Sequence, residues 1–282
     1  MKLRFLAFVP LLAVSLVCAQ AAPTAKFHFI ACPNSPETHL NGVNNSNLHV
    51  GFCLGADGVY HGLLEANGNL TFLDNPHTSI ATILEDVNFT GTIVGFYLDD
   101  AGTHHAFSYA VGNGQFTDLE PPGSIFSLAF GVDDLGRVVG QAEDMQGIFR
   151  GWYFDGSYHS VELGVGETAI WDLNSNSQAL IVWQDETGNS RSSLYQSGKL
   201  TDIDVPGAVS TTARGINNAG DVVLSWTDEA FIDHGALLTE GKFTKFDAPG
   251  CDMTDPGRVN DNHVIVGTCT TSEVIKGFYV TY

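Results

Sequence analysis

Three carboxylates and two guanidinium groups stand out as residues that could do chemistry: Glu85 beside Asp86, Asp172 beside Trp171, and the cations Arg214 and Arg258. Paired carboxylates can divide the roles of general acid and base, or hold a divalent cation between them. A second set is periodic. Basic residues recur at His61, His105, Arg150, Arg191, His234 and Lys276, and acids follow the first five at Asp74, Glu120, Glu162, Asp204 and Asp247. Signatures with fixed spacing are missing from the sequence: it has no Gly-x-Ser-x-Gly elbow, phosphate-binding loop or dinucleotide fingerprint. His104-His105 lacks a second cluster that could complete a zinc site. Asp99-Asp100, Asp133-Asp134 and Asp185-Glu186 lack EF-hand spacing and read as solvated turns. No metal and no cofactor are expected.

The elements that must position these residues form a repeat. An apolar residue followed by Asn or Asp recurs at Val43-Asn44, Val87-Asn88, Val132-Asp133, Leu173-Asn174, Ile216-Asn217 and Val259-Asn260, a period of about 43 residues. Each copy holds four strand-like runs. The first ends at this pair, whose short polar side chain can start a turn. The second is of the Ile93-Val94-Gly95 type, the third of the Gly151-Trp152-Tyr153 type, and the fourth of the Phe116-to-Leu119 type. An X-Gly turn such as Glu240-Gly241 joins the third to the fourth, where glycine supplies the positive φ of a tight hairpin. Pro-Gly steps such as Pro206-Gly207 end the copies.

The last copy stops after its third strand, and the missing fourth lies at the other end of the chain, where Lys26 to Pro33 matches Lys242 to Pro249. The expected fold is all-β: a six-bladed propeller of four-stranded repeats starting near 40, 84, 129, 170, 213 and 256, with strand 26–31 completing the last blade. Such closure protects a sheet edge. The cysteines obey the same repeat. Cys53 and Cys269 follow second-strand glycines, while Cys32 and Cys251 sit at exits preceding those copies, so the pairs Cys32–Cys53 and Cys251–Cys269 are expected.

The periodic charges read as scaffold. Across the Glu240-Gly241 turn His234 falls opposite Asp247, and the same counting pairs His61 with Asp74 and Arg191 with Asp204. Cross-strand pairs of this kind each contribute roughly 0.2–1 kcal/mol. His105 and Arg150 miss their acids by two and one positions, so their hairpins need a longer turn or a bulge.

Function should therefore sit where copies differ. In the first strand three copies place glycine before the apolar-Asn/Asp pair, at Gly42, Gly131 and Gly215, and the others place Asp86, Asp172 and Arg258. One position earlier stand Asn41, Glu85, Phe130, Trp171, Arg214 and Gly257. If this strand lines the channel, the candidate binding residues are Glu85, Asp86, Trp171, Asp172, Arg214 and Arg258, with Glu85, Asp86 and Asp172 the candidate acids of any catalysis. The competing reading is a set of axial salt bridges.

Lys2 and Arg4, the apolar run Phe5 to Val17 and the small residues Ala19-Gln20-Ala21 form a signal peptide over 1–21, leaving one domain over 22–282. The segment holds two of the 12 Lys and Arg residues and none of the 32 Asp and Glu, so the remainder is more acidic than the formal −20 of the whole chain. A surface of that sign is repelled by nucleic acid and by anionic membranes. An even number of cysteines after the leader fits an oxidising, extracytoplasmic compartment. Asn44, Asn69 and Asn88 open N-glycosylation sequons.

The tripeptide His105-Ala106-Phe107 and the Gly215-to-Val223 segment resemble the extracellular HAF repeat family, and the resemblance runs over essentially all of 22–282. Other copies depart from the tripeptide, as in His61-Gly62-Leu63 and Lys276-Gly277-Phe278, and no sialidase Asp box or WD dipeptide is present. The resemblance implies a secreted, propeller-like repeat protein and carries no catalytic residue with it. The expected function is a monomeric binding or scaffold module for an extracellular glycan, peptide or protein. The alternative is a hydrolase or lyase using channel acids, a choice that fold alone does not make.

Overall fold

The structure is a computed structural model and describes residues 25–161 and 167–281. The expected signal peptide and Glu162 lie outside the described residues. Short apolar runs punctuated by Gly, Asn, Asp and Pro dictate strands, and the described residues contain 24 of them and no helix.

Residues 124–161, 168–203 and 210–246 each make a separate antiparallel sheet of four strands in sequence order. A further four-stranded sheet draws on both ends of the chain. Its order is Lys26–Ile30, Ile275–Thr281, Ile265–Thr270, Met253–Val259, with Lys26 opposite Thr281 and Ile30 opposite Gly277. The strands of residues 38–118 connect into one eight-stranded sheet, because a single parallel pair, Tyr60 with Ala81, joins the first two copies. Together the sheets form an all-β propeller.

The core lies between copies rather than within them. Val50, Leu84, Ile93 and Phe107 pack the first copy on the second, and Val139, Ile170 and Ile181 pack the third on the fourth. Val264 and Val266 of the last copy pack on Leu40, Val43 and Leu63 of the first. Burying a side chain such as Phe107, fully sequestered here, stabilises by roughly 1.5–3 kcal/mol. Each copy alone would leave one sheet face wet, so the stacked arrangement is what makes the repeat stable.

Antiparallel order sorts the loops onto two faces. The turns joining first to second and third to fourth strands emerge on one, here called lower. The hairpins joining second to third strands, and the exits to the next copy, emerge on the upper face. Both disulfides form on these exits: Cys32 with Cys53 and Cys251 with Cys269, at Cα separations of 6.4 and 5.4 Å.

The first strand of every copy carries a register shift at an equivalent place: between Leu40 and Gly42, Leu84 and Asp86, Ala129 and Gly131, Ile170 and Asp172, Ala213 and Gly215, and Pro256 and Val259. A bulge adds a residue and re-aims its side chain. The added residues include Asn41, Glu85, Phe130, Trp171 and Arg214, so two consecutive positions of each first strand reach the axis.

Candidate functional site

Around the axis glycine alternates with a charged residue: Gly42, Asp86, Gly131, Asp172, Gly215, Arg258. The alternation is steric. A Cβ at Gly42 would lie 2.7 Å from the Cα of Asp86, one at Gly131 2.9 Å from the Cα of Asp172, and one at Gly215 2.9 Å from the Cα of Arg258. Three bare positions give three long side chains room to fill the channel.

Arg258 fills most of it. The residue is 4% exposed, and its Nη2 donates to the carbonyls of Phe130 (2.5 Å) and Trp171 (2.8 Å) while Nη1 donates to that of Arg214. Its Nε stands 3.5 Å from Asp172 and 3.8 Å from Asp86 and has no hydrogen-bond acceptor among the described residues. Both acids are buried and accept backbone N–H groups: Asp86 from Val132 (3.0 Å), Asp172 from Leu173 and Ile216 (both 2.8 Å). Burial raises the pKa of each, to about 7 for Asp172, against the pull of Arg258 and the backbone donors. A cavity of about 60 Å³ opens beside the pair on the lower side. That admits a few water molecules, against the ~300 Å³ or more typical of a small-molecule site.

The upper mouth carries the remaining sequence candidates. The Trp171 ring stacks on Phe130 at 4.8 Å and 6°, and the Arg214 guanidinium lies 4.5 Å over the same ring. Arg214 Nη2 also donates to both oxygens of Asp255 at 3.0 Å. Trp171 is thus held by the copy before and the copy after it. Glu85 reaches a cavity of about 40 Å³ here, and burial pushes its carboxyl up to about 7 against Arg258 and Arg214.

On the lower rim the Asn of the repeated pair links copies in a circle. The Nδ2 of Asn44 donates to the carbonyl of Asn88, Asn88 to Asp133, Asn174 to Asn217, Asn217 to Asn260, and Asn260 back to Asn44, at 2.8–3.2 Å. Asn44 and Asn88, both sequon asparagines, are buried in this circle, whereas Asn69 is exposed.

The periodic basic residues sit on the upper face. His61 Nδ1 meets Asp74 at 2.9 Å, His234 Nδ1 meets Asp247 at 2.8 Å, and Arg191 Nη1 lies 3.9 Å from Asp204. His105 meets Glu120 at 2.5 Å. Its hairpin turns over four residues, Val111 to Gly114, so that Ala110 pairs with Gln115 and the register is restored. Arg150 reaches Asp144 at 2.6 Å, and its expected partner Glu162 lies outside the described residues. Sequence reasoning missed the second acid of these sites, at the hairpin between second and third strands: Asp57, Asp99, Asp144, Asp185 and Asp228. In the last four, one oxygen accepts backbone N–H groups two and four residues on, and the other faces the basic residue. The visible signal was an acid followed within three residues by glycine in four of these hairpins, at Gly58, Gly102, Gly147 and Gly188; in the fifth Phe231 takes the positive-φ position.

Two cavities of about 470 and 450 Å³ open beside these sites at equivalent places in the first and third copies. The first is bounded by the Cys32–Ser35 exit, Asp57, His61, Phe72 and Asp74. The second is bounded by the Pro121–Ser124 exit, Asp144, Arg150, Trp152 and Tyr158. Each thus combines an exit loop, an acid–base pair and an aromatic ring. A third, of about 420 Å³, lies between the first and second copies and extends to Glu85. Among the described residues no group of His, Cys, Asp or Glu is arranged to hold a metal ion.

No family model matches the chain, and no curated protein matches it. Solved structures do. AofleA from Arthrobotrys oligospora is similar at 12% identity and a TM-score of 0.62, covering 92% of this chain and 87% of its own. The fungal lectin of Aleuria aurantia, described as a six-bladed β-propeller with a novel fucose recognition mode, is similar at 12% identity and 0.52, covering 86% and 90%. TolB from Acinetobacter baumannii is similar at 10% identity and 0.58, covering 82% and 65%. At these identities the likeness is one of fold, and the fold shared is the β-propeller.

Proposed function

We propose that this chain is a secreted or periplasmic six-bladed propeller of HAF-type repeats that binds an extracellular glycan through its upper face. The observation that carries the reading is the recurrence of one cavity, built from an exit loop, an acid–base pair and an aromatic ring, in the first and third copies. Aromatic faces pack on the C–H faces of a sugar ring, and carboxylate–guanidinium or carboxylate–imidazole pairs offer acceptors and donors to its hydroxyls. The Aleuria aurantia lectin, whose described ligand is fucose, supports a carbohydrate in particular. The six-blade count is supported by the six-membered circle from Asn44 to Asn260 and by the core that packs the last copy on the first. A catalytic role for Asp86 and Asp172 is the weaker reading, because both are buried, bonded to backbone N–H groups and flanked by Arg258.

A glycan array probed with residues 22–282 tests the proposal. Binding of a glycan, weakened at least tenfold by His61→Ala combined with Arg150→Ala, is the expected result. No binding across the array, or binding indifferent to both substitutions in a folded variant, would overturn it.

A further inference from the structure

The groove between the first and second copies differs from the two recurring cavities. Its walls are aromatic: His39 stacks on Phe52 at 4.3 Å and 11°, Tyr60 meets Phe52 edge-on at 5.6 Å, and Phe96 closes the opposite side. A carboxyl stands at each end, Glu37 outside and Glu85 at the axis. Glu37 accepts from the Tyr60 hydroxyl at 3.2 Å and lies 3.9 Å from His39. Burial holds the His39 ring below its ordinary pKa despite Glu37 and Asp255, so at neutral pH it does not neutralise Glu37. The charged groups around Glu85 are Arg258, Arg214, Asp86 and Asp255. Both arginines are committed elsewhere, Arg258 to carbonyls and the axial acids and Arg214 to Asp255 and Trp171.

A space of about 420 Å³ walled by aromatic rings with Ala81, Ile83 and Leu98, with a carboxyl at each end and no permanent cation among the described residues that line it, has the chemistry of an ammonium receptor. The combination occurs once around the ring. The positions equivalent to Glu85 are Asn41, Phe130, Trp171, Arg214 and Gly257, and those equivalent to Phe52 and Phe96 are Gln141, Val182, Ser225 and Thr268. The geometry points to a subsite for a sugar bearing a free amine, its ring against Phe52 and Phe96 and its ammonium at Glu37 or Glu85. This rests on the glycan-binding reading of the upper face. The strongly acidic surface adds a long-range attraction for the same charge.

Titration calorimetry at pH 7 with a β-1,4-linked glucosamine dimer and its N-acetylated counterpart tests the subsite. The dimer with free amines should bind at least tenfold more tightly, and its affinity should fall with added salt. Glu37→Gln, at a partly exposed position where folding is easily checked, and Glu85→Gln should each cost at least tenfold for the amine form. Equal affinity for the two dimers, or wild-type affinity in both variants, would overturn the subsite. Array glycans that bind while the amine dimer does not would overturn it and leave the wider glycan reading standing. Binding of the amine dimer with no array glycan bound would support the subsite and remove the recurring cavities as glycan sites.

Discussion

Arg137 completes a hydrogen bond that Asp133 cannot make. In the other copies the Asn of the repeated pair donates its Nδ2 to the carbonyl of the next copy, but a carboxylate has no donor. Arg137 Nε instead donates to Asp133 Oδ2 at 2.6 Å, and its Nη2 donates to the carbonyl of Asn174 at 3.0 Å. The cation both pairs the buried acid and carries the inter-copy bond, so the circle runs unbroken.

Removing that cation should be costly in a specific way. Arg137→Ala leaves a carboxylate whose side chain is 0% exposed without its ion-pair partner, and should destabilise by about 3 kcal/mol. Asp133→Asn in the same background should restore much of the loss, since the new Nδ2 can donate directly. Urea unfolding of the single and double variants checks this, and a double variant no more stable than Arg137→Ala would refute it.

The channel predicts an asymmetry between its charges. Arg258→Ala leaves Asp86 and Asp172 facing each other in the interior and should cost about 3–5 kcal/mol. Asp172→Asn should cost far less, because burial already raises that carboxyl to about 7. Adding Asp172→Asn to Arg258→Ala should therefore recover stability. Gly42→Ala tests the steric half of the arrangement, since its Cβ would fall 2.7 Å from backbone, and a loss of roughly 1–3 kcal/mol in unfolding free energy is expected. An Asp172→Asn variant as unstable as Arg258→Ala would count against the whole account.

The upper-face histidines set a pH dependence. Burial opposes protonation of His61, His105 and His234, but hydrogen bonds and charge from Asp74 and Asp57, Glu120 and Asp99, and Asp247 and Asp228 outweigh it and raise each pKa above 6.5. A raised folded value means that their stabilisation is complete below about pH 6.5 and is lost as pH rises through the folded value. Glu85 and Asp172, also raised, act in the same direction. His39, His49 and His104 are lowered, chiefly by burial, and act oppositely as pH falls below 6.5. The difference in melting temperature between the parent protein and His234→Gln isolates one group. It should be largest near pH 5.5 and shrink towards pH 8.5, and a difference that grows with pH would contradict the assignment.

Much of this was legible because repeats convert sequence into geometry. The spacing of Val43-Asn44 and its relatives locates each first strand, and counting back from Glu240-Gly241 places His234 opposite Asp247. The bulge was not legible: strict alternation would send Glu85 and Asp86 to opposite faces, and only the register shift brings both to the axis. The role of Arg137 was also hidden, because its partners belong to two different copies. The groove at Glu37 and Phe52 had no motif to announce it, since its walls come from the starts of first strands and the ends of second strands in neighbouring copies.

The seam of the ring should be its weakest part, and the disulfides flank it on both sides. Cys32 ties the exit of the strand Lys26–Ile30 to the first copy, and Cys251 ties the exit of the fifth copy to the sheet that the two ends share. The bridged residues are separated by 21 and 18 positions, and closing loops of that size removes about 3 kcal/mol of chain entropy from the unfolded state. The first bridge does more, because among the described residues Lys26–Ile30 is held in its sheet by a single neighbour, the strand Ile275–Thr281. Without the bridge that strand can peel away and bare a sheet edge. A Cys32→Ser, Cys53→Ser variant should therefore lose about 2–4 kcal/mol on urea unfolding. It should also show faster amide exchange over 26–30 and 275–281 than over 222–227, where both neighbouring strands remain. The Cys251→Ser, Cys269→Ser variant should lose similar stability with exchange at 26–30 little changed. Uniform acceleration across all sheets in the first variant would mean that the seam opens only with global unfolding.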